Sequence, residues 1–277
     1  MAKQQDIIAC NGCTAVLVLL VMAALQLVRP VASTHDVSIA AIQQPAQRQV
    51  IVIGDSTAAN YTGQLAGSFP LSGWAMFLQL LFDPSAVTVR DLAFPGCSSK
   101  SFYDEKRWEE AKTYLSAGDV VFIQFGHNDQ KADAARHTDP FTTFKHYLTI
   151  YIDDTRATGA TPVLVTSISR AIWHVDGSGF KQSLGDYPVA MRQLTAELRV
   201  PLINLNQATK DLFTKLGQHT TQTQLFMRLL PGKFRNYPKG SSDTTHLQVE
   251  GAELVAALAI QGIVKANLRP LVAHLLP

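Results

Sequence analysis

Apolar residues fall into short runs along the chain, and five of these runs predict β-strands. The runs are rich in Val and Ile and nearly continuous, whereas a strand with one solvated face would alternate apolar and polar residues. Continuous runs are typical of parallel strands that are covered on both faces. The predicted strands are "QVIVIG" at 49–54, "AVTVRDL" at 86–92, "DVVFIQFG" at 119–126, "TPVLVTS" at 161–167 and "VPLINL" at 200–205.

Between the strands, apolar residues recur at helical spacing. In 141–158, for example, they recur every three or four positions, and Gly159 ends the pattern. The alternation of strands and helices predicts right-handed crossovers and one α/β domain at 49–277, a three-layer α/β/α sandwich around a five-stranded parallel sheet. The predicted helices are 73–82, 105–116, 141–158, 187–198, 206–216, 248–265 and 267–275.

The first fifty residues differ from the rest of the chain. Lys3 precedes an apolar run from Thr14 to Val28, which is short for a membrane span but typical of the hydrophobic region of a secretory signal. We therefore expect 1–33 to be a signal peptide or, if it is not cleaved, an N-terminal anchor, followed by a linker at 34–48. Cleavage would leave a protein exported to the periplasm or the medium, with no membrane attachment.

Composition narrows the classes of function. The formal net charge is +2, and a charge this small without a basic run argues against nucleic acid as a partner. Cys10 and Cys13 lie before the apolar run, and no second cysteine pair exists to complete a metal site. We expect neither a metal nor a cofactor. Cys97 is then the lone cysteine of the mature protein, which we expect to be a monomer.

Ligands of such sheets bind beyond the carboxyl ends of the strands, so the residues there are the candidates for chemistry. The first strand ends in Gly54-Asp55-Ser56, and Ala58 and Ala59 favour a helix that begins at once. Ser56 would then lie at a helix N-terminus, where backbone amides favour negative charge. It is a candidate nucleophile or, alternatively, a serine that only caps the helix.

The next two strand ends carry candidate hydrogen-bond donors. Gly96 lies in a Pro-Gly turn after the second strand, and its amide can approach a substrate oxygen closely because the residue has no Cβ. Asn128 follows the third strand in "FGHNDQ" and can aim its side-chain N–H groups into the same space, while His127 and Asp129 hold the loop. The alternatives are a plain turn at Gly96 and a metal site at His-Asn-Asp, which lacks a matching set of ligands.

The last candidate pair lies far along the chain, in "GSSDTTHLQVEGA". Asp243 and His246 are three residues apart, on one turn before a helix that runs from about Gln248. That spacing lets the carboxylate reach one ring nitrogen while the other nitrogen faces outward. A serine nucleophile needs such a base, and the aspartate fixes the tautomer of the imidazole. Alternatively, Asp243 caps the helix and His246 lies at its start without a catalytic role.

Together these segments resemble the four sequence blocks of the SGNH (GDSL-type) hydrolase superfamily: "GDS", the glycine of "FPGCSSKSF", "GHND" and "DTTH". More narrowly, residues 49–275 resemble the rhamnogalacturonan acetylesterase family. The resemblance implies a flavodoxin-like fold and removal of O-acetyl groups from an acetylated polysaccharide or oligosaccharide by a Ser-His-Asp mechanism without a metal. Carried over by position, it implies Ser56 as the nucleophile, Asp243 and His246 as the acid–base pair, an oxyanion hole of Ser56, Gly96 and Asn128, and Asp55 and His127 as supporting residues.

Two positions depart from the family pattern. Asp91 stands where the second block usually begins with asparagine, and Cys97 stands where arginine commonly follows the glycine of that block. If that arginine holds an acidic sugar, Cys97 weakens the assignment to rhamnogalacturonan but leaves ester hydrolysis intact.

Substrate choice is expected to depend on the loops. We expect a sugar-binding wall with aromatic faces for sugar rings and cations for uronates, formed by Arg235 and Tyr237 of the long segment 226–242 and by Arg170 and Trp173 after the fourth strand. Alternatively, 226–242 is an idle solvated loop. Three other functions stay open: a glycan O-acetyltransferase, a lipid or short-chain acyl esterase, and a non-catalytic glycan-binding module.

Overall fold

The predicted five-stranded parallel sheet forms the middle layer of the protein. A computed structural model describes residues 47–176 and 179–277. Its strands are β1 (Arg48–Gly54), β2 (Leu71–Ser72), β3 (Val87–Asp91), β4 (Val120–Gln124), β5 (Thr161–Val165), β6 (Leu202–Ile203), β7 (Phe226–Leu229) and β8 (Ser241–Gln248). The central sheet has the order β3-β1-β4-β5-β6, and every neighbouring pair is parallel.

Helices cover both faces of this sheet because successive side chains of a strand point to opposite sides. In β1, Val50 and Val52 belong to one buried apolar cluster, and Ile51 and Ile53 belong to the other. The described helices are α1 (Ser99–Asp104), α2 (Arg107–Lys112), α3 (Thr143–Ala157), α4 (Tyr187–Leu198), α5 (Leu205–Leu216), α6 (Val249–Lys265) and α7 (Arg269–Val272), with 3₁₀ helices at Gly63–Ser68 and Trp74–Leu81 and a helical turn at Gln218–Thr220 that continues as a π-helix at Thr221–Leu225. Helices α1 to α4 pack on one face of the sheet, and α5, α6 and the second 3₁₀ helix pack on the other. The three-layer α/β/α sandwich is confirmed.

A small antiparallel sheet, in the order β2-β8-β7, was not predicted. Strands β7 and β8 form a hairpin, so the expected loop 226–242 is reduced to the connection at 230–240. The β8 sequence "SSDTTHLQ" lacks the apolar alternation that marks a strand, and pairing with β2 and β7 makes it one.

Of the predicted helix at 105–116 only 107–112 is helical, as α2, and the separate helix α1 precedes it. Ser98 and Ser101 form a capping box that starts α1 well before the predicted boundary. Lys106, with a φ of 63°, then separates α1 from α2. In the predicted helix at 267–275 only the short α7 is present, and a turn follows it.

The described residues up to Leu275 form one compact unit. The predicted signal segment 1–33 and most of the predicted linker 34–48 lie outside the described residues. Within the part that is described, no helix is both long and apolar enough to cross a membrane.

Candidate active site

Ser56 lies at the carboxyl end of β1, 8% exposed, in a turn rather than at the start of a helix. The carbonyl of Asp55 accepts two backbone amides and closes that turn. The turn does not continue as a helix because the carbonyl of Thr57 accepts the N–H of Trp74 at 3.0 Å. The N–H of Tyr61, which a continuing helix would direct to Thr57, points to a methionine sulfur instead. The expectation that Ser56 lies at a helix N-terminus is therefore wrong.

The structure brings Ser56, His246 and Asp243 together in one chain of hydrogen bonds. Nε2 of His246 lies 2.8 Å from Oγ of Ser56, and Nδ1 of His246 lies 2.6 Å from Oδ2 of Asp243. Burial alone would raise the pKa of the Asp243 carboxyl, but the hydrogen bond and charge of His246 outweigh it and lower that pKa. An ionised Asp243 accepts from Nδ1–H, so Nε2 is left to accept the proton of the serine hydroxyl.

Asp243 and His246 lie in β8 and not on a helical turn. The pairing register of β7 with β8 shifts between Phe226 and Arg228, which leaves an irregular segment in β8. There Oδ1 of Asp243 accepts the backbone N–H groups of Thr245 and His246 at 2.7 and 3.1 Å. The predicted turn is thus wrong, because the pair lies in the extended strand β8, whereas the helix predicted from about Gln248 is confirmed as α6, which begins at Val249. Irregular strand segments redirect side chains, and this one lets the two side chains of the pair meet.

Gly96 and Asn128 lie on two neighbouring loops that are joined by a hydrogen bond. The N–H of Cys97 donates to the carbonyl of Phe94 at 3.3 Å and closes a turn in which Gly96 has a φ of 83°. That conformation favours glycine. Nδ2 of Asn128 donates to the Cys97 carbonyl at 2.9 Å. The bond uses one of the two N–H groups of the amide and fixes the direction of the other.

The matched sequence family agrees with this geometry. The family model described as "GDSL-like Lipase/Acylhydrolase family" matches residues 52–254, which is more than half of the chain. The chain belongs to the GDSL-like lipase/acylhydrolase family.

Two named relatives and one solved structure are similar to this chain over about four-fifths of its length. The chain is 40% identical over 227 residues to the rhamnogalacturonan acetylesterase RhgT of Bacillus subtilis (strain 168), covering 82% of this chain and 94% of that protein. It is 33% identical over 220 residues to the probable rhamnogalacturonan acetylesterase YesY of the same organism, covering 79% and 94%. The crystal structure of YxiM from Bacillus subtilis matches with a TM-score of 0.66 at 26% identity, covering 80% of this chain and 57% of that chain. This GDSL-family protein is a carboxylic ester hydrolase.

Asp55 and His127 form a buried pair beneath the GDSL serine. Nδ1 of His127 lies 3.2 Å from Oδ2 of Asp55, and Thr57 donates its N–H and hydroxyl to Oδ1 at 2.9 and 2.8 Å. Burial raises the pKa of Asp55 by itself, but His127 and Thr57 outweigh it and the pKa is lowered. Burial lowers the pKa of His127 despite Asp55. We infer a neutral His127 that donates from Nδ1 to an ionised Asp55, which joins the end of β1 to the end of β4.

Arg170, predicted to contact substrate, makes its hydrogen bonds within the protein. Nε donates to the hydroxyl of Thr245 at 3.1 Å, Nη1 to the carbonyl of Ser183 at 3.1 Å, and Nη2 to the carbonyl of His127 at 3.4 Å. Burial lowers the pKa of the guanidinium, although Asp55 raises it. Arg170 thus connects the loop after β4 to the residue next to His246, a contact that the sequence did not reveal.

The other predicted wall residues lie in two regions. Trp173 forms an isolated bridge with Phe180, and their rings make an edge contact at 5.0 Å between centroids. Arg235 is exposed on the β7–β8 connection. On the same connection, the hydroxyl of Tyr237 donates to the carbonyl of Ser68 at 3.1 Å. Substrate binding by these residues stays a prediction.

Tyr61 and Asp129 make hydrogen bonds that fix the backbone around the GDSL site. The hydroxyl of Tyr61 donates to the carbonyl of Ser56 at 2.8 Å, a contact for which the sequence carries no signal. Asp129 accepts the N–H of Ser99 at 3.1 Å and the hydroxyl of Thr138 at 3.0 Å. Burial raises the pKa of Asp129 to about 7 despite these bonds. Asp129 therefore joins the second and third GDSL blocks.

Asp91 ends β3 and pins the loop that follows. Its Oδ1 accepts the N–H of Ala93 at 3.0 Å, a bond that asparagine would also make. Oδ2 is buried, and no hydrogen-bond partner for it lies among the described residues. Burial raises the pKa of Asp91 to about 8. This departure from the family pattern adds a titratable group that is neutral at pH 7, and it leaves the pinning of the loop unchanged.

No group of three or more His, Cys, Asp or Glu residues that could hold a metal ion is present in the described part of the chain.

Proposed function

We propose that this esterase removes O-acetyl groups from an acetylated polysaccharide or oligosaccharide of the rhamnogalacturonan type. The names of the two relatives, which match over 94% of their own lengths, support the substrate class. The observation that carries the chemistry is the hydrogen bonding of Ser56 to His246 and of His246 to Asp243.

In the proposed mechanism, Ser56 attacks the acetyl carbonyl while Nε2 of His246 takes the hydroxyl proton. The carboxylate of Asp243 holds the imidazole in the tautomer that can accept at Nε2 and stabilises the imidazolium that forms. His246 then gives the proton to the departing sugar oxygen, which leaves an acetyl group on Ser56. Water, activated by the same imidazole, releases acetate and restores the serine.

The negative charge that develops on the acetyl oxygen needs fixed donors. We propose the backbone N–H groups of Ser56 and Gly96 and the second side-chain N–H of Asn128 as these donors. The bond from Asn128 to the Cys97 carbonyl supports this role, because it orients the amide before the substrate arrives. Donors that need no reorientation are the ones that lower the barrier most.

We also propose that the protein is exported and acts as a monomer, with 1–33 as a signal peptide or an N-terminal anchor. The support for export is the apolar run from Thr14 to Val28 in the sequence. N-terminal sequencing of the protein from its native host tests the cleavage.

The test of the proposed function is acetate release from acetylated rhamnogalacturonan, homogalacturonan and xylan, run beside 4-nitrophenyl esters of increasing chain length. We expect acetate from the rhamnogalacturonan and a preference for acetyl over longer esters. A preference for long acyl chains would favour a lipid esterase, and net acetyl transfer to added glycan would favour an acetyltransferase. Glycan binding without turnover of any ester would identify a non-catalytic module.

A further inference from the structure

A second feature of the site is an exposed aromatic ring on the turn that contains Gly96. The N–H of Phe94 donates to the carbonyl of Gly54 at 3.0 Å, two residues before Ser56, and its carbonyl accepts from Cys97. The backbone of Phe94 is thus held against the end of β1. Phe94 is nevertheless 42% exposed as a residue. The turn belongs to the proposed oxyanion hole, and Phe94 lies two residues before Gly96 in it.

A guanidinium lies on that ring. Cζ of Arg107, at the start of α2, is 3.2 Å from the centroid of the Phe94 ring. Nε of Arg107 donates to Oε2 of Glu105 at 2.8 Å, and the ion pair is partly exposed, with 28% of the Arg107 side chain and 48% of the Glu105 side chain accessible. The ring contact and the ion pair together hold the plane of the guanidinium.

The outer edge of Arg107 is available to a ligand. Within residues 47–176 and 179–277, the guanidinium donates from Nε to Glu105 and also interacts with the Cys97 thiol, and no carboxylate accepts from Nη1 or Nη2. These two groups form the end-on edge of the guanidinium, which matches the two oxygens of a carboxylate.

Cys97, the residue that follows Gly96, supplies no charge to this surface. Its thiol is buried and lies 3.9 Å from Oε2 of Glu105. Burial and the charge of Glu105 raise the pKa of the Cys97 thiol to about 11, although Arg107 lowers it, so the group is neutral. A cation that recognises an acidic sugar beside this turn must therefore be another residue, and Arg107, which lies on the ring of Phe94, is a candidate.

We propose that Phe94 and Arg107 form a binding subsite for a uronate that neighbours the acetylated sugar, with the ring of Phe94 packed against a sugar face and the end-on edge of Arg107 bound to the uronate carboxylate. The subsite rests on the proposed function, which it deepens by assigning the recognition of acidic substrate to two residues outside the predicted sugar-binding wall.

The test compares Arg107→Gln with the wild-type enzyme on three substrates. These are 4-nitrophenyl acetate, acetylated xylo-oligosaccharides and acetylated rhamnogalacturonan oligosaccharides. We expect kcat/KM on the rhamnogalacturonan oligosaccharides to fall about tenfold, mainly through KM, because a bound carboxylate loses its partner. We expect the rates on the two uncharged substrates to change less than about twofold, which also shows that the variant is folded.

Matched variants separate charge from packing. Arg107→Lys should retain more of the acidic-substrate rate than Arg107→Gln, since it keeps the charge and loses the two-pronged geometry. Phe94→Leu should lower kcat/KM on both kinds of oligosaccharide and leave kcat/KM on 4-nitrophenyl acetate unchanged. Arg156→Gln is the control, because Arg156 is an exposed arginine far from the site. It lies near the end of α3, which leads to the amino end of β5, whereas the site lies at the carboxyl ends of the strands.

Three results would overturn the subsite. An Arg107→Gln enzyme with wild-type kcat/KM on rhamnogalacturonan oligosaccharides would do so while leaving the proposed function in place, and so would an equal loss on all three substrates. A wild-type enzyme that cleaves 4-nitrophenyl acetate but releases no acetate from any oligosaccharide would overturn both the proposed function and the subsite.

Discussion

Nε2 of His246 lies 2.8 Å from Oγ of Ser56, although 190 positions separate the two residues along the chain. Two contacts place them together. Strand β2 pairs with the end of β8, where Leu71 faces Gln248, and the nearby N–H of Trp74 donates to Thr57, next to the serine. The small sheet therefore carries the histidine to the end of β1.

Replacing Asp243 with asparagine should lower kcat on 4-nitrophenyl acetate by ~10⁴-fold. The asparagine oxygen can still accept the N–H groups of Thr245 and His246, but its amide cannot accept from Nδ1 of His246 without turning that oxygen away. The imidazole would then favour the wrong tautomer. Steady-state kinetics measure the loss, and an unchanged melting temperature shows that the fold is intact. A loss below tenfold would remove Asp243 from the mechanism.

Asn128→Ala should lower kcat by ~10²–10³-fold with little change in KM, because the donor acts on charge that is present only in the transition state. Asn128 also ties its loop to the carbonyl of Cys97. The melting temperature of the variant should therefore be measured beside the kinetics, to separate loss of the donor from loss of the fold. If KM rose while kcat stayed at the wild-type value, the side chain would be a ground-state contact and not an oxyanion donor.

Arg170→Met should lower kcat and leave the KM for 4-nitrophenyl acetate unchanged. The guanidinium holds the hydroxyl of Thr245, next to His246, and the carbonyl of His127. Its removal also leaves half-buried acceptors unpaired, so the free energy of unfolding should fall by about 1–3 kcal/mol. Kinetics and urea unfolding of the same preparation give both values. Were Arg170 a substrate contact instead, KM for acidic oligosaccharides would rise and stability would stay constant.

The central layer was predictable because its signal is local. The run "QVIVIG" predicts a strand at 49–54, and β1 spans Arg48–Gly54. Helix α4 occupies 187–198, as its apolar spacing predicts. Strand β8 was not predicted, since partners distant in sequence impose its extended form on a polar segment.

The residues of the site also divide into those with a local sequence signal and those placed by contacts between distant segments. Continuous strands imply that residues at their carboxyl ends meet, which is why Ser56, Gly96 and Asn128 could be chosen from the sequence. The contacts of Arg170 and Tyr61 depend on how loops fold over one another, and no spacing in the sequence records them. The position of Arg107 on the ring of Phe94 likewise depends on how two segments pack, and no spacing in the sequence predicts it.

Asp91→Asn should change how stability depends on pH. In the folded protein the pKa of Asp91 is raised to about 8 from an ordinary 3.8, so the folded state holds a proton that the unfolded state releases. The stability that this proton contributes is present below about pH 4 and is lost as the pH rises towards 8. Relative to the wild type, the variant should gain up to about 1.4 kcal/mol of unfolding free energy per pH unit across that range. Urea unfolding at several pH values measures the difference, and a difference independent of pH would contradict the buried proton.

The most direct test of the central claim is covalent labelling by a fluorophosphonate, which reports an activated serine. Wild-type enzyme, Ser56→Ala and His246→Ala are treated alike, and peptide mass spectrometry locates the adduct. We expect a single adduct on Ser56, loss of esterase activity in step with labelling, and slow or no labelling of His246→Ala. An inactivating adduct on another residue, or full esterase activity in Ser56→Ala, would contradict the account.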